Sequence, residues 1–302
     1  MDHRRAIDTR ASLIMLVLCL TWSLQQIALK AVAADITPIL QIALRSSGAA
    51  VLVAVLMRWR GEAFDWSAWR PGAAVAFLFA MEFVMVGEAL LRTSASHTVV
   101  FLYTAPVFAA LGLHWKIPAE RLNPLQWGGI VLAFAGVATT FLGKTQDTSG
   151  ATSLFGDFLA LLGAVSWGAT TVVIRTSRLS QTSPTQTLLY QLLGAALLLL
   201  AIAVATGTTH IHLTPAVVAS LVFQTVVVSF ISFLTWFWLL RTYLASRLGV
   251  FSFLTPVFGV VLGMLLLNEP LEVRFVVGAV MVLTGIVIVS AHTLIASLWQ
   301  RK

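Results

Sequence analysis

A chain of 302 residues in which 59% are hydrophobic and 10% charged is not a soluble domain, where about a quarter of residues carry charge. The net charge of +7 does not point to nucleic acid, because the basic residues sit between apolar runs, where they set topology and meet anionic lipid. The single cysteine, Cys19, lies inside an apolar run, which excludes an intramolecular disulfide and a cysteine-built metal site.

At about 20 apolar residues per crossing, the composition predicts an all-α integral membrane protein of ten transmembrane helices. The first, 12–31, follows Arg4, Arg5 and Arg10. That start looks like a secretory signal, but the run is longer than a signal core and carries Gln25 and Gln26. Helices two to five are read at 38–57, 72–91, 96–115 and 125–142. Helices six to ten follow at 154–174, 187–206, 215–239, 248–267 and 273–294. The connections are short and hold Pro, Gly, Asn, Asp or charge.

The two halves repeat. Leu91-Arg92-Thr93, Pro106-Val107-Phe108 and Glu120 recur as Leu240-Arg241-Thr242, Pro256-Val257-Phe258 and Glu269, at an offset of 149 or 150 residues. Trp22 pairs with Trp167, and Gly129 and Gly136 pair with Gly278 and Gly285. The first five-helix repeat is therefore 12–143, the linker 144–153, and the second repeat 154–296. An odd number of helices per repeat sends the second half into the membrane from the opposite side, so the repeats are inverted. Lys and Arg divide fourteen to four between the two sides, with Arg45 inside helix two. This bias places both termini in the cytoplasm of a multi-pass protein of the cell inner membrane.

With five plus five helices, a Pro-Val-Phe core in helices four and nine, and the runs Glu120…Gln126…Gly129 and Glu269…Arg274…Gly278, the chain resembles the EamA-type family of the drug/metabolite transporter superfamily. Gly156-Asp157 opening helix six, with Trp167 beyond it, also matches that family, and Arg45 stands where many members carry an arginine. The resemblance covers nearly the whole chain and implies a carrier. It says little about the substrate.

Among residues at mid-membrane depth, where Gln26 also lies, the candidates for substrate contact are Trp22, Gln25, Arg45, Glu82, Tyr103 and Trp167. Pro106 and Pro256 are read as helix breaks beside a central cavity, because proline removes an intrahelical hydrogen bond. An ionised side chain at the bilayer centre costs at least roughly 2.5–3.5 kcal/mol, so Arg45 and Glu82 are read as mutual partners. They form either a zwitterion clamp, Arg45 for a carboxylate and Glu82 for an amine, or a permanent ion pair locking helix two to helix three. Glu82 has no acidic counterpart in the second half, where Ile231 stands. Glu88 and His97 are read as a solvated helix end in preference to a gate. Glu120 and Glu269 complement the dipoles of helices five and ten. The glycines of those two helices form a scaffold stripe or an oligomer seam.

The expected function is secondary export of small metabolites, foremost amino acids including aromatic or hydrophobic ones, by alternating access. The alternative is export of lipophilic cations, for which one membrane carboxylate and an aromatic cage suffice. No catalytic motif or Walker sequence is present, so neither an enzyme nor an ATP-driven pump is expected. The expected partners are a small-molecule substrate and the lipid bilayer, with proton coupling through Glu82 a further role for that residue. No cofactor, metal or nucleic acid is expected, and monomer and homo-oligomer both remain open.

Overall fold

The structure is a computed structural model, and it describes residues 8–118, 121–141, 153–243, 248 and 251–299. Arg4, Arg5, Glu120, residues 142 and 143 of the first repeat, residues 144–152 of the linker, Arg247, Arg301 and Lys302 lie outside the described residues. The described chain is helical: α1 Thr9–Ala31, α2 Pro38–Trp59, α3 Trp69–Arg92, α4 Ala95–Leu102, α5 Ala105–Lys116, α6 Pro124–Phe141, α7 Leu154–Thr176 and α8 Pro184–Ala205. Then come α9 Pro215–Val222, a π-helical segment Phe223–Ser232, α10 Phe233–Thr242, α11 Leu254–Leu267 and α12 Val273–Trp299. Among the described residues, seven helical stretches are long and apolar enough to cross a membrane. The apolar Leu254–Leu267 and Val273–Val289 are shorter.

The helix starts are written in the sequence. Thr37-Pro38, Ser183-Pro184 and Thr214-Pro215 each put a hydroxyl at the N-cap and proline in the first turn. The hydroxyl takes one orphan amide, and proline's missing N–H leaves nothing unsatisfied there. Asp8 caps α1, accepting from the Ala11 amide at 2.7 Å and the Tyr243 hydroxyl at 2.9 Å. Those two bonds hold its carboxyl below the ordinary carboxylate value.

The packing is apolar outside and mixed inside. Leu197, Val131, Leu265 and Val55 stand exposed on the outer surface, as lipid-facing side chains do. Gln25, Gln41, Arg45, Glu82 and Gln224 are buried instead. An apolar cluster with Phe79, Phe83 and Leu102 joins α1, α2, α3, α4 and α8. A second joins α4, α5, α6, Phe253 and α12 through Val107, Ile130, Phe275 and Val282.

The glycine stripe proves to be an internal seam. A Cβ on Gly129 would lie 2.8 Å from the Gly285 carbonyl, and one on Gly136 would lie 2.6 Å from the Gly278 carbonyl. Only glycine lets α6 and α12 approach this closely.

The helix read at 96–115 falls within one span, Ala95–Lys116, whose α-helix is interrupted at Tyr103–Thr104 between α4 and α5, and Phe253 marks an interruption before α11. In both places proline sits in the first turn of the following helix, Pro106 two residues beyond Thr104 and Pro256 two residues beyond Leu254. Carbonyls near the second break find partners on α1: Cys19 donates through Sγ to Phe251 O at 3.2 Å, and the Ser23 hydroxyl donates to Thr255 O at 2.7 Å. At the first break the Thr104 hydroxyl donates to Phe101 O at 2.6 Å.

Candidate functional site: a buried polar belt

Two rungs of hydrogen bonds tie α2 to the α9 region. Gln41 donates to the Ser220 hydroxyl, and one turn along both elements Arg45 donates through Nη1 to Gln224 Oε1 at 2.6 Å. Gln224 also donates through Nε2 to the Gln25 carbonyl of α1 at 2.8 Å, so one amide bridges three elements. The Arg45 guanidinium lies over the Phe83 ring, 4.5 Å from its centroid, a cation–π contact that offsets part of its desolvation. Arg45 is only 1% exposed.

This corrects the expected Arg45–Glu82 pairing. Gln224 is the hydrogen-bond partner of Arg45, and among the described residues no ion pair joins Arg45 to Glu82. Sequence reading missed Gln224 because it weighed charges and aromatics. The signal was present: an amide in the apolar run 215–239 needs a buried partner.

Six buried polar atoms around these rungs have no hydrogen-bond partner: Gln26 Oε1, Gln41 Oε1, Arg45 Nε, Ser46 Oγ, Glu82 Oε2 and Ser229 Oγ. Buried polar groups are nearly always satisfied, so such a concentration needs an explanation. These atoms come from α1, α2, α3 and the π segment, and they include donors and acceptors. π-helical turns recur at functional sites, and here one carries Gln224, Ser229 and Ser232.

The aromatic candidates form two pairs. Trp22 donates through Nε1 to the Ser232 hydroxyl at 2.9 Å and meets Trp236 edge-on, centroids 5.6 Å apart. Tyr103 at the α4–α5 break meets Trp167 edge-on at 5.3 Å, and Trp167 borders the apolar cluster that contains Phe83. The structure thus brings Gln25 and Arg45 together through Gln224, and Trp22 onto the same π segment. Tyr103 and Trp167 pair with each other.

The end of the bundle where α1 and α3 terminate differs from expectation. His97 is buried against Asp157 and Phe275 and is not a solvated helix end, whereas Glu88 is partly exposed and paired with Arg92. Glu269 serves α4, not its own helix: its carboxylate accepts from the Ala95 amide at 2.6 Å, the Ser96 amide at 3.0 Å and the Ser96 hydroxyl at 2.6 Å. Asn268, in the left-handed region at φ 53°, turns the chain to bring it there. Lys30 donates to the carbonyls of Leu90, at 2.8 Å, and Thr93.

Gln224→Leu removes both bonds of the bridging amide and leaves Arg45 buried without its partner. Losing a hydrogen bond to a charged group costs about 1.5–3 kcal/mol. A fall in the detergent melting temperature is expected, and an unchanged melting curve would show that the rung carries no stability.

The EamA-like transporter family profile matches residues 9–142 and again 154–291. An uncharacterized transporter of Archaeoglobus fulgidus is 25% identical over 220 residues, 72% of this chain and 73% of that protein. In Bacillus subtilis, the uncharacterized transporter YoaV is 26% identical over 69% of this chain and 68% of its own length. The uncharacterized transporter YvbV of the same organism is 25% identical over 94% and 93%. A protein of known crystal structure, 20% identical, superimposes with a TM-score of 0.65 over 94% of this chain and 96% of that one, which shows a shared fold. Matched in both halves, mostly helical among its described residues and apolar on its outer surface, the chain is a multi-pass membrane transporter that belongs to the EamA-like transporter family.

Proposed function

We propose that this transporter is a secondary carrier that exports small metabolites, foremost amino acids including aromatic and hydrophobic ones, by alternating access across the cell inner membrane. The observation that carries this reading is the set of unpartnered buried atoms in the polar belt. A zwitterion supplies what they lack. Its carboxylate accepts from Arg45 Nε, whose Nη1 is already held by Gln224. Its ammonium donates to Glu82 Oε2 and to the amide oxygens of Gln26 and Gln41. Gln25 anchors the bridge beside it, and the half-buried Trp22 and Trp167 with Tyr103 supply apolar walls for the side chain.

In this reading the chain forms ten membrane helices in two inverted repeats, 12–143 and 154–296, with both termini cytoplasmic. The glycine seam supports the inversion. Gly129 meets Gly285 and Gly136 meets Gly278, so exchanging each glycine for its repeat counterpart converts one pair into the other. Pro106 and Pro256 mark equivalent breaks, where each half yields as access changes sides.

Counterflow in proteoliposomes tests the proposal. Vesicles preloaded with an aromatic or hydrophobic amino acid should accumulate trace label of the same compound, saturably. Accumulation of lipophilic cations with none of amino acids would replace this reading with the cation-exporter one. No counterflow of either class would overturn both.

A further inference from the structure

Two hydroxyl–carboxylate bonds stand in equivalent places at the two ends of the bundle. Thr93 caps the C-terminus of α3, its amide on the Ala89 carbonyl at 2.7 Å. Its hydroxyl donates at 2.6 Å to Asp157 Oδ1 in the first turn of α7. Tyr243 caps the C-terminus of α10, its amide on the Leu239 carbonyl at 2.8 Å. Its hydroxyl donates at 2.9 Å to Oδ2 of Asp8, the N-cap of α1. Thr93 and Tyr243 are 150 residues apart, the offset of the repeat itself. Asp8 and Ser153 are matched N-caps 145 residues apart, the offset that relates Trp22 to Trp167. Each accepts from the amide three residues on, and the Ser153 amide donates to Arg92 O at 3.0 Å. A cation–π contact joins the same helices at each end, Arg10 over Trp238 at 5.7 Å and Arg92 over Phe155 at 5.8 Å. The end of α3 is thus tied to the start of α7, and the end of α10 to the start of α1.

We propose that Thr93–Asp157 and Tyr243–Asp8 are a matched pair of gate clasps, one at each face, of which one opens while the other holds. The proposal rests on the carrier reading for this alternation and for the names of the faces, outer for Thr93 and cytoplasmic for Tyr243. Both seams lead to the polar belt. Parting α3 from α7 opens a way down to Glu82, whose backbone carbonyl would lie 3.4 Å from a Cβ on Gly163 of α7. Parting α1 from α10 opens a way past Trp22, which donates to Ser232 and meets Trp236.

The clasps are unequal. Thr93 and Asp157 are fully buried, and His97 Nδ1 lies 3.0 Å from the same carboxylate, whereas Asp8 is exposed at the rim. A hydrogen bond in a dry interior is stronger than one for which water competes. The Tyr243 clasp therefore yields first, which suits a carrier that loads its cargo from the cytoplasm.

Thiol labelling of the full chain in membrane vesicles tests this without a substrate. Ser46, buried in the belt with no hydrogen-bond partner for its hydroxyl, becomes the reporter as Ser46→Cys. Cys19→Ser removes the native thiol and keeps a donor for Phe251 O. A membrane-impermeant maleimide is applied to vesicles of either orientation, and a cleavable N-terminal tag shows which face carries Asp8. Tyr243→Phe, which removes only the hydroxyl, should raise the labelling rate from the Asp8 face roughly tenfold, the worth of a hydrogen bond to a charged group. From the other face the rate should stay as it was. Asp8→Asn keeps the helix cap and should shift labelling in the same direction. Thr93→Val should raise labelling from the opposite face by at least as much, while Thr93→Ser, which keeps the hydroxyl, should label as the wild type does. Unchanged labelling in Tyr243→Phe or in folded Thr93→Val overturns the proposal, and so does a rise from both faces alike in either variant. Should Thr93→Val not fold, Tyr243→Phe and Asp8→Asn decide alone. The expected labelling pattern in a protein that gives no counterflow would refute the carrier reading and leave the clasps standing.

Discussion

Glu82→Gln is expected to fold at wild-type yield and to lose amino-acid counterflow by roughly tenfold or more. The carboxylate oxygen Oε2 has no partner in the protein and Arg45 is hydrogen-bonded elsewhere, so replacing the acid by its amide breaks no bond of the scaffold. What disappears is the charge that would hold a substrate ammonium. A hydrogen bond between charged groups is worth about 1.5–3 kcal/mol, and 1.4 kcal/mol is about tenfold in affinity. The measurement is counterflow rate against substrate concentration with purified protein. Wild-type kinetics in the variant would exclude Glu82 from substrate and proton binding alike. Arg45→Gln offers no such clean separation, because it also cuts the rung to Gln224.

Gly136→Val should lower stability by about 1–3 kcal/mol or more through overpacking. The added Cβ falls 2.6 Å from the Gly278 carbonyl and 2.7 Å from the Val282 amide. Both are backbone atoms, so α6 and α12 must separate along their length. Gly128→Val, at the residue next to the seam glycine Gly129 and off the seam face, meets nothing within 4 Å and serves as the control. Thermal unfolding in one detergent compares the two. Equal melting temperatures would mean that the seam yields at no cost.

Seven spans were legible because lipid imposes length and apolarity on each segment, and proline and hydroxyl caps mark several of their starts. The interruption near Pro106 was legible as a helix break, but its place at Tyr103–Thr104, two to three residues earlier, was not, since where the helix yields depends on the partners its neighbours find. Arg45 was legible as a buried charge, but its partner was not. Complementary charge on the next helix suggested Glu82, whereas the π segment carries Gln224 to the guanidinium from 179 residues away. His97 was misread for a related reason. Position along a helix gives depth in the membrane, while burial at a given depth depends on which other helices cover it, here α7 and α12. Glu269 was recognised as a helix-dipole residue, but the helix it serves lies 173 to 174 residues earlier.

That last separation bears on how the protein is made. The amides at the start of α4 emerge from the ribosome early, and the carboxylate that caps them is synthesised only after α11, beyond the linker and most of the second half. Until then the corner formed by Lys30, Thr93 and Ser96 lacks its clasp, and contacts that close so long a loop form late. A nascent chain halted before residue 269 should therefore keep the start of α4 unprotected in the membrane, and the α11–α12 turn is the part whose arrival completes this face of the protein.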